Sequence, residues 1–201
     1  EYIMESVFPN GYLELALGPM FSGKTSWILE MYEQHIFCGK KVMVINHADD
    51  KRYDNEMLST HDKKMIPCSQ MSNLDDIDSK VLRELFQADV ILINEGQFFK
   101  ELVGFVKMLL SHKKIIYVCG LDGDFEQKKF GELLDLIPIC DKVHKLRSMC
   151  AICKNGTRAI FSFRNDESSE QKLIGSDMYL PVCRKCYQDN SSKKKERSGS
   201  L

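Results

Sequence analysis

Residues Gly18 to Thr25 read GPMFSGKT. They stand between YLELAL (Tyr12–Leu17) and a segment to about Phe37 in which Trp27, Ile28, Met31, Tyr32 and His35/Ile36 recur at helical spacing. The octet fits the pattern G-x-x-x-x-G-K-[ST]. Gly18 and Gly23 let the backbone curl so that successive N–H groups point at phosphate oxygens. Lys24 brings charge toward the β- and γ-phosphates, Thr25 a hydroxyl for Mg2+, and the following helix the positive end of its dipole. A chance match in a chain this long arises roughly once in a hundred. With a strand before it and a helix after it, the octet reads as a nucleotide phosphate cradle rather than an ordinary glycine turn.

The segments around the cradle set the fold class. KVMVIN supplies a second strand (Val42–Asn46), VILI a third that is apolar on both faces (Val90–Ile93), and KIIYVCGL a fourth (Lys114–Leu121). VLRELF (81–86) and FFKELVGFVKMLL (Phe98–Leu110) carry helical stripes. Strands alternating with helices predict an α/β domain whose mostly parallel sheet is wound by right-handed crossovers. From His47 to Lys64 the chain is polar and aperiodic, so a long functional loop is expected. Residues 1–11 read as a lead-in, 12–148 as the nucleotide-binding domain, 149–188 as a small metal-binding domain and 189–201 as a polar, disordered tail.

Composition narrows the function classes. The 201 residues are 43% hydrophobic and 28% charged, which suits one good core with a small appendage. The net charge of -1 gives no global pull toward nucleic acid or an anionic membrane. No apolar run approaches the ~20 residues of a membrane-spanning helix, and EYIMESVFPNG lacks the basic start of a secretory signal. A cytoplasmic location is expected, with neither nucleic acid nor membrane among the partners.

Four of the eight cysteines stand apart, at Cys38, Cys68, Cys119 and Cys140. The others form two pairs, Cys150-Ala-Ile-Cys153 and Cys183-Arg-Lys-Cys186, separated by 29 residues in which a hairpin is expected, RAIFSF with QKLIG. A two-residue gap lets both thiolates of a pair face one tetrahedral Zn2+. Four thiolates close the shell, so the zinc is expected to be structural. A redox pair or two buried cysteines are the plain alternatives.

VILINEGQFF (Val90–Phe99) carries a strand out to the carboxyl edge of the sheet, where the cradle also sits, and delivers Glu95 there. Phosphoryl transfer needs a cradle, a metal, a base and a cation. Glu95 is the candidate base and Lys24 a candidate cation.

GPMFSGKT, DKRY (50–53), THD (60–62), NEGQFF (94–99), GLDGDF (120–125) and CRKCY (183–187) occur in this order and together resemble the type II thymidine kinases, the cellular and poxvirus-like enzymes. The resemblance runs from about Tyr12 to Tyr187. It implies a RecA-like P-loop domain with a zinc-ribbon or lasso domain, and ATP-dependent phosphorylation of the 5′-hydroxyl of thymidine. It implies Glu95 as general base, with Arg52 and Lys24 at the phosphates. Nucleotide contacts fall on Gly18, Pro19, Met20, Phe21, Ser22, Gly23, Lys24, Thr25, Asp50, Arg52, Asn94 and Gln97, with Thr25 on Mg2+. Thymidine is expected against Met20, Phe98, Leu121, Phe125, Phe130, Ser162, Leu173, Ile174 and Tyr179. Thymidine triphosphate as feedback inhibitor and a homotetramer complete what the resemblance implies.

Three features depart from the family pattern. Asn94 stands where an aspartate is usual, LIGSDMY is one residue shorter than the common lasso, and KNGTRAIFSFR is about two residues longer. An amide oxygen still ligates Mg2+ or its water but brings no negative charge, so a raised Mg2+ requirement is expected. The competing readings are a nucleotide-binding regulatory protein with turnover impaired by Asn94, and a P-loop ATPase using its ribbon on nucleic acid. The second would need a basic stripe with aromatic platforms; Arg158, Arg164, Arg184 and Lys185 are too few for one.

Overall fold

The computed structural model describes residues 8–50, 57–59, 65–75, 77–164 and 178–198. Strands β1 (Tyr12–Leu17), β2 (Val42–His47), β5 (Ser69–Met71), β6 (Val90–Ile93), β7 (Ile115–Gly120) and β8 (Lys142–Lys145) form one sheet, in the order β5-β2-β6-β7-β1-β8. Every pairing in it is parallel. Parallel strands need crossovers, and helices α1 (Lys24–Phe37), α2 (Ser79–Gln87) and α3 (Leu102–Ser111) provide three of them.

Side-chain alternation explains the layers. Ala16, Val44, Val90 and Leu92 face α1, where they meet Ile28 and Leu29. Leu13, Leu15, Met43, Ile45, Ile91 and Ile93 face the other way, onto Leu85 of α2 and Leu102, Phe105, Val106 and Leu109 of α3. Each fully buried aliphatic side chain stabilises by about 1.5–3 kcal/mol, so the central strands read as continuous apolar runs. Helix α2 starts where the Asp78 carboxylate accepts from the Lys80 N–H at 2.8 Å, a side-chain cap.

The helix expected from Phe98 begins later, at Leu102. Gly96–Phe98 form a 3-10 turn and Glu101 has φ 55, which no right-handed helix passes through. The polar loop contains β3 (Met57–Ser59), which pairs with β4 (Met65–Pro67) just beyond it, each too short to show a period. In the small domain β9 (Ser148–Met149) pairs with β10 (Arg158–Ala159), and β11 (Phe161–Arg164) pairs with β12 (Tyr179–Val182). RAIFSF is thus divided between β10 and β11, and QKLIG lies outside the described residues. The tail expected to be disordered from residue 189 instead continues helix α4 (Arg184–Ser198). Its run of lysines, glutamate and arginine favours helix, whatever its polarity.

One charged residue lies inside the β1–β8 pairing. Glu14 is 7% exposed and accepts from the Tyr12 hydroxyl at 2.7 Å; it also hydrogen-bonds with His144 Nε2, and Lys142 Nζ lies 3.5 Å away. Burial pushes its carboxyl up, but the bonds to Tyr12 and His144 and the charge of Lys142 outweigh burial and hold it below its ordinary value. A carboxyl depressed in the folded state stabilises above its unfolded value of about 4.3 and loses that contribution as pH falls through the folded one. Thermal melts from pH 7 to 3 should therefore show Glu14→Gln less stable than wild type at pH 7. The gap should close in acid. A gap constant with pH would reject this account.

Candidate active site

The cradle joins β1 to α1. Gly23, at φ 86, turns the chain into the helix, and a Cβ on Gly18 would lie 2.7 Å from the Leu146 carbonyl oxygen. Both positions therefore need glycine. The Gly18 N–H donates to the Gly120 carbonyl at 3.3 Å, which seats the cradle on the end of β7. Lys24 is buried, and its Nζ donates to the carbonyls of Pro19 at 2.7 Å and Gly18 at 3.2 Å. The buried Ser22 hydroxyl has no hydrogen-bond partner among the described residues. An unsatisfied buried hydroxyl beside the start of a helix fits a phosphate oxygen.

Glu95 follows β6 at φ 55, ψ 40, left-handed for a residue with a Cβ, at a cost of about 1–2 kcal/mol. It is 9% exposed, and its carboxylate accepts from Gln97 Nε2 at 2.6 Å. Gln97 Oε1 accepts from the Leu121 N–H at 2.9 Å. Phe98 and Phe130 meet edge to face at 5.4 Å, and the Met20 N–H donates to the Ser162 hydroxyl at 3.0 Å. Residues expected at the substrate wall therefore meet across three loops and β11. Phe125 is half-buried beneath the Arg164 guanidinium, 3.6 Å from its ring centre, and its carbonyl accepts from the Tyr187 hydroxyl at 2.7 Å. Tyr179 is buried opposite Arg164 in the β11–β12 register. Thr25 is half-buried on the first turn of α1, and Phe21 is exposed on the cradle. Arg52, Leu173 and Ile174 lie outside the described residues.

Asn94 is turned into the sheet. Its Nδ2 donates to Asn46 Oδ1 at 2.8 Å, and its Oδ1 accepts from the Cys119 thiol at 3.0 Å. Asn46 Nδ2 in turn reaches Gln70 at 3.3 Å and Asp50 at 3.5 Å. A row of neutral polar side chains thus crosses β7, β6, β2 and β5 at their carboxyl ends.

In the small domain the four sulfurs of Cys150, Cys153, Cys183 and Cys186 lie within 4.8 Å of one another. A tetrahedral zinc with Zn–S bonds of ~2.3 Å needs sulfurs ~3.8 Å apart. Burial opposes ionisation of the Cys150 thiol, but backbone N–H groups of Cys153, Cys183 and Ile152 outweigh it and bring it down to about 6. Burial and the bonds to its neighbouring sulfurs push Cys186 up to about 12. Four thiolates share this volume only around a cation, and the donor set fits Zn2+.

The family model described as thymidine kinase matches residues 11–187. The chain belongs to the thymidine kinase family. It is 39% identical over 183 residues to a thymidine kinase of Oryza sativa subsp. japonica, covering 89% of this chain and 67% of that protein. It is 38% identical to thymidine kinase a of Arabidopsis thaliana, covering 90% and 76%. With the thymidine kinase of vaccinia virus strain Western Reserve it shares 38% identity, covering 90% and 99%. Among the described residues no helix of this family member is long and apolar enough to cross a membrane.

Sequence reasoning missed two contributors to this kinase-family site. Arg164 is 1% exposed, on the same strand face as Ser162 two residues earlier, and period-two spacing would have singled it out. Asn46 is the other. Ile45-Asn46 lies within β2 and Ile93-Asn94 runs out of β6, and Ile45 pairs with Ile93, which makes the two asparagines neighbours.

Proposed function

We propose that this chain transfers the γ-phosphoryl group of ATP to the 5′-hydroxyl of thymidine, with Glu95 as general base. One observation carries the reading: a buried carboxylate, held by Gln97, leaves the carboxyl end of β6 at the sheet edge that also bears the cradle. Glu95 takes the hydroxyl proton as the oxygen attacks the γ-phosphorus. The new O–P bond forms while the bond to the ADP oxygen breaks, and ADP leaves with that electron pair. Lys24 and Arg52 supply charge to the phosphates. Thr25 would hold Mg2+, which when bound would supply charge neutralisation at the phosphates. Met20, Phe98, Leu121, Phe125, Phe130, Ser162, Leu173, Ile174 and Tyr179 wall the nucleoside. Feedback by thymidine triphosphate and assembly as a cytoplasmic homotetramer accompany this reading.

Asn94, with both ends of its amide tied to Asn46 and Cys119, brings no negative charge to the carboxyl end of β6, so a raised Mg2+ requirement is expected. The test incubates the protein with γ-labelled ATP, Mg2+ and each deoxynucleoside in turn. Label should pass to thymidine, and Asn94→Asp should reach half-maximal rate at lower Mg2+. No thymidine-dependent transfer by the wild type sinks the proposal. Transfer that appears only in Asn94→Asp would establish the regulatory reading instead.

A further inference from the structure

Gln97 belongs to the cradle's nucleotide contacts by family resemblance, yet both ends of its amide are engaged by the protein itself. Its side chain is 2% exposed. Nε2 donates to the Glu95 carboxylate at 2.6 Å and Oε1 accepts from the Leu121 N–H at 2.9 Å. These partners fix the orientation of the amide, because a carboxylate needs a donor and an N–H needs an acceptor. Two glycines pack closely against this residue. A Cβ on Gly120 would lie 2.2 Å from Gln97 Oε1, and one on Gly131 would lie 2.1 Å from the Gln97 carbonyl oxygen. The end of β7 and the loop at Gly131 therefore carry no side chain where they close on this glutamine.

We infer that Gln97 is the positioning residue of the site: one buried amide aims Glu95 at the acceptor hydroxyl and pins the Leu121 backbone in the nucleoside wall. The inference rests on the reading of Glu95 as general base. Glu95 lies in a left-handed turn with a side chain of three rotatable bonds, and a carboxylate free to swing spends little time within reach of a hydroxyl. The bond from Gln97 holds one oxygen of that carboxylate in place. The bond to Leu121 makes the aim conditional on a seated β7 loop, so the base and the wall are set together.

The test compares two acceptors. A 5′-hydroxyl needs its proton taken as it attacks. The neutral amine of 5′-amino-5′-deoxythymidine attacks through its lone pair and loses its proton to solvent after the P–N bond has formed and ADP has left. Gln97→Met, similar in length but without donor or acceptor, should lower kcat with thymidine on the order of 100-fold, with KM for ATP within about twofold. Its loss of kcat with the amine should stay under about threefold, the lost bond to Leu121 showing instead as a rise in nucleoside KM common to both acceptors. Equal losses on both acceptors would mean a merely structural glutamine and overturn the proposal. Should that variant fail to fold, Gln97→Glu keeps the shape and the acceptor for Leu121 but sets a carboxylate against Glu95. The same hydroxyl-selective loss is expected there, and wild-type kcat with thymidine would overturn the proposal. Glu95→Gln runs alongside. If Glu95→Gln loses both acceptors equally, the base reading fails and this inference falls with it. If only Glu95→Gln is selective, the inference on Gln97 fails alone.

Discussion

Glu95→Gln is expected to lower thymidine-dependent kcat by about 10²- to 10⁴-fold, the range of a general base, with ATP affinity unchanged. That loss corresponds to about 3–5 kcal/mol of transition-state stabilisation. The substitution keeps shape and burial. The new amide can still accept from Gln97 through its oxygen, so the 3-10 turn of Gly96–Phe98 has no reason to move. What disappears is a group able to take a proton. The deficit should therefore appear in kcat and kcat/KM equally and leave the KM for ATP alone. Steady-state kinetics in both substrates decide it, and turnover within tenfold of wild type would reject Glu95 as base.

Loss of the small domain's metal should have the largest effect on stability. Among the described residues its buried core consists of Cys150, Ala159, Phe163, Val182, Cys183 and Cys186, half of them thiols. Metal in such a site contributes on the order of 10–16 kcal/mol, as much as an entire domain's net stability of about 5–15 kcal/mol. Cys183→Ala should lose bound zinc, lose hydrogen-exchange protection across β9 to β12, and leave the parallel sheet protected. The sheet has its own two-sided core and uses none of these residues. Metal analysis and exchange mass spectrometry measure both halves of the claim. A wild type that contains no zinc yet protects this domain fully would refute it.

The parallel sheet was legible because its central strands are buried on both faces and therefore uniformly apolar: VILI could hardly be anything else. The edges were not. Strand β8, KVHK, is mostly exposed, and β5 has three residues, so neither carries a period to read. Position 101 shows another limit. Nothing in Lys100-Glu101-Leu102 announces a left-handed residue, yet that single φ moves the start of α3 by a full turn. In the site, residue types announced the cradle and the four-cysteine cluster, since each needs fixed spacing. The partners of Asn94 and Gln97 come from neighbouring strands and loops. Those pairings depend on register and on glycines at 120 and 131, which appear only once the chain is folded.

The posture of Lys24 has a kinetic consequence. With its ammonium resting on the Pro19 and Gly18 carbonyls, the cradle already holds a cation against its own backbone. An arriving anion must exchange with those carbonyls rather than fill an idle charge. If the loop takes a triphosphate as proposed, that ligand would replace the two bonds and add the Ser22 hydroxyl, whereas a single weak anion would gain little from the trade. Monovalent anions would then be poor competitors for the loop.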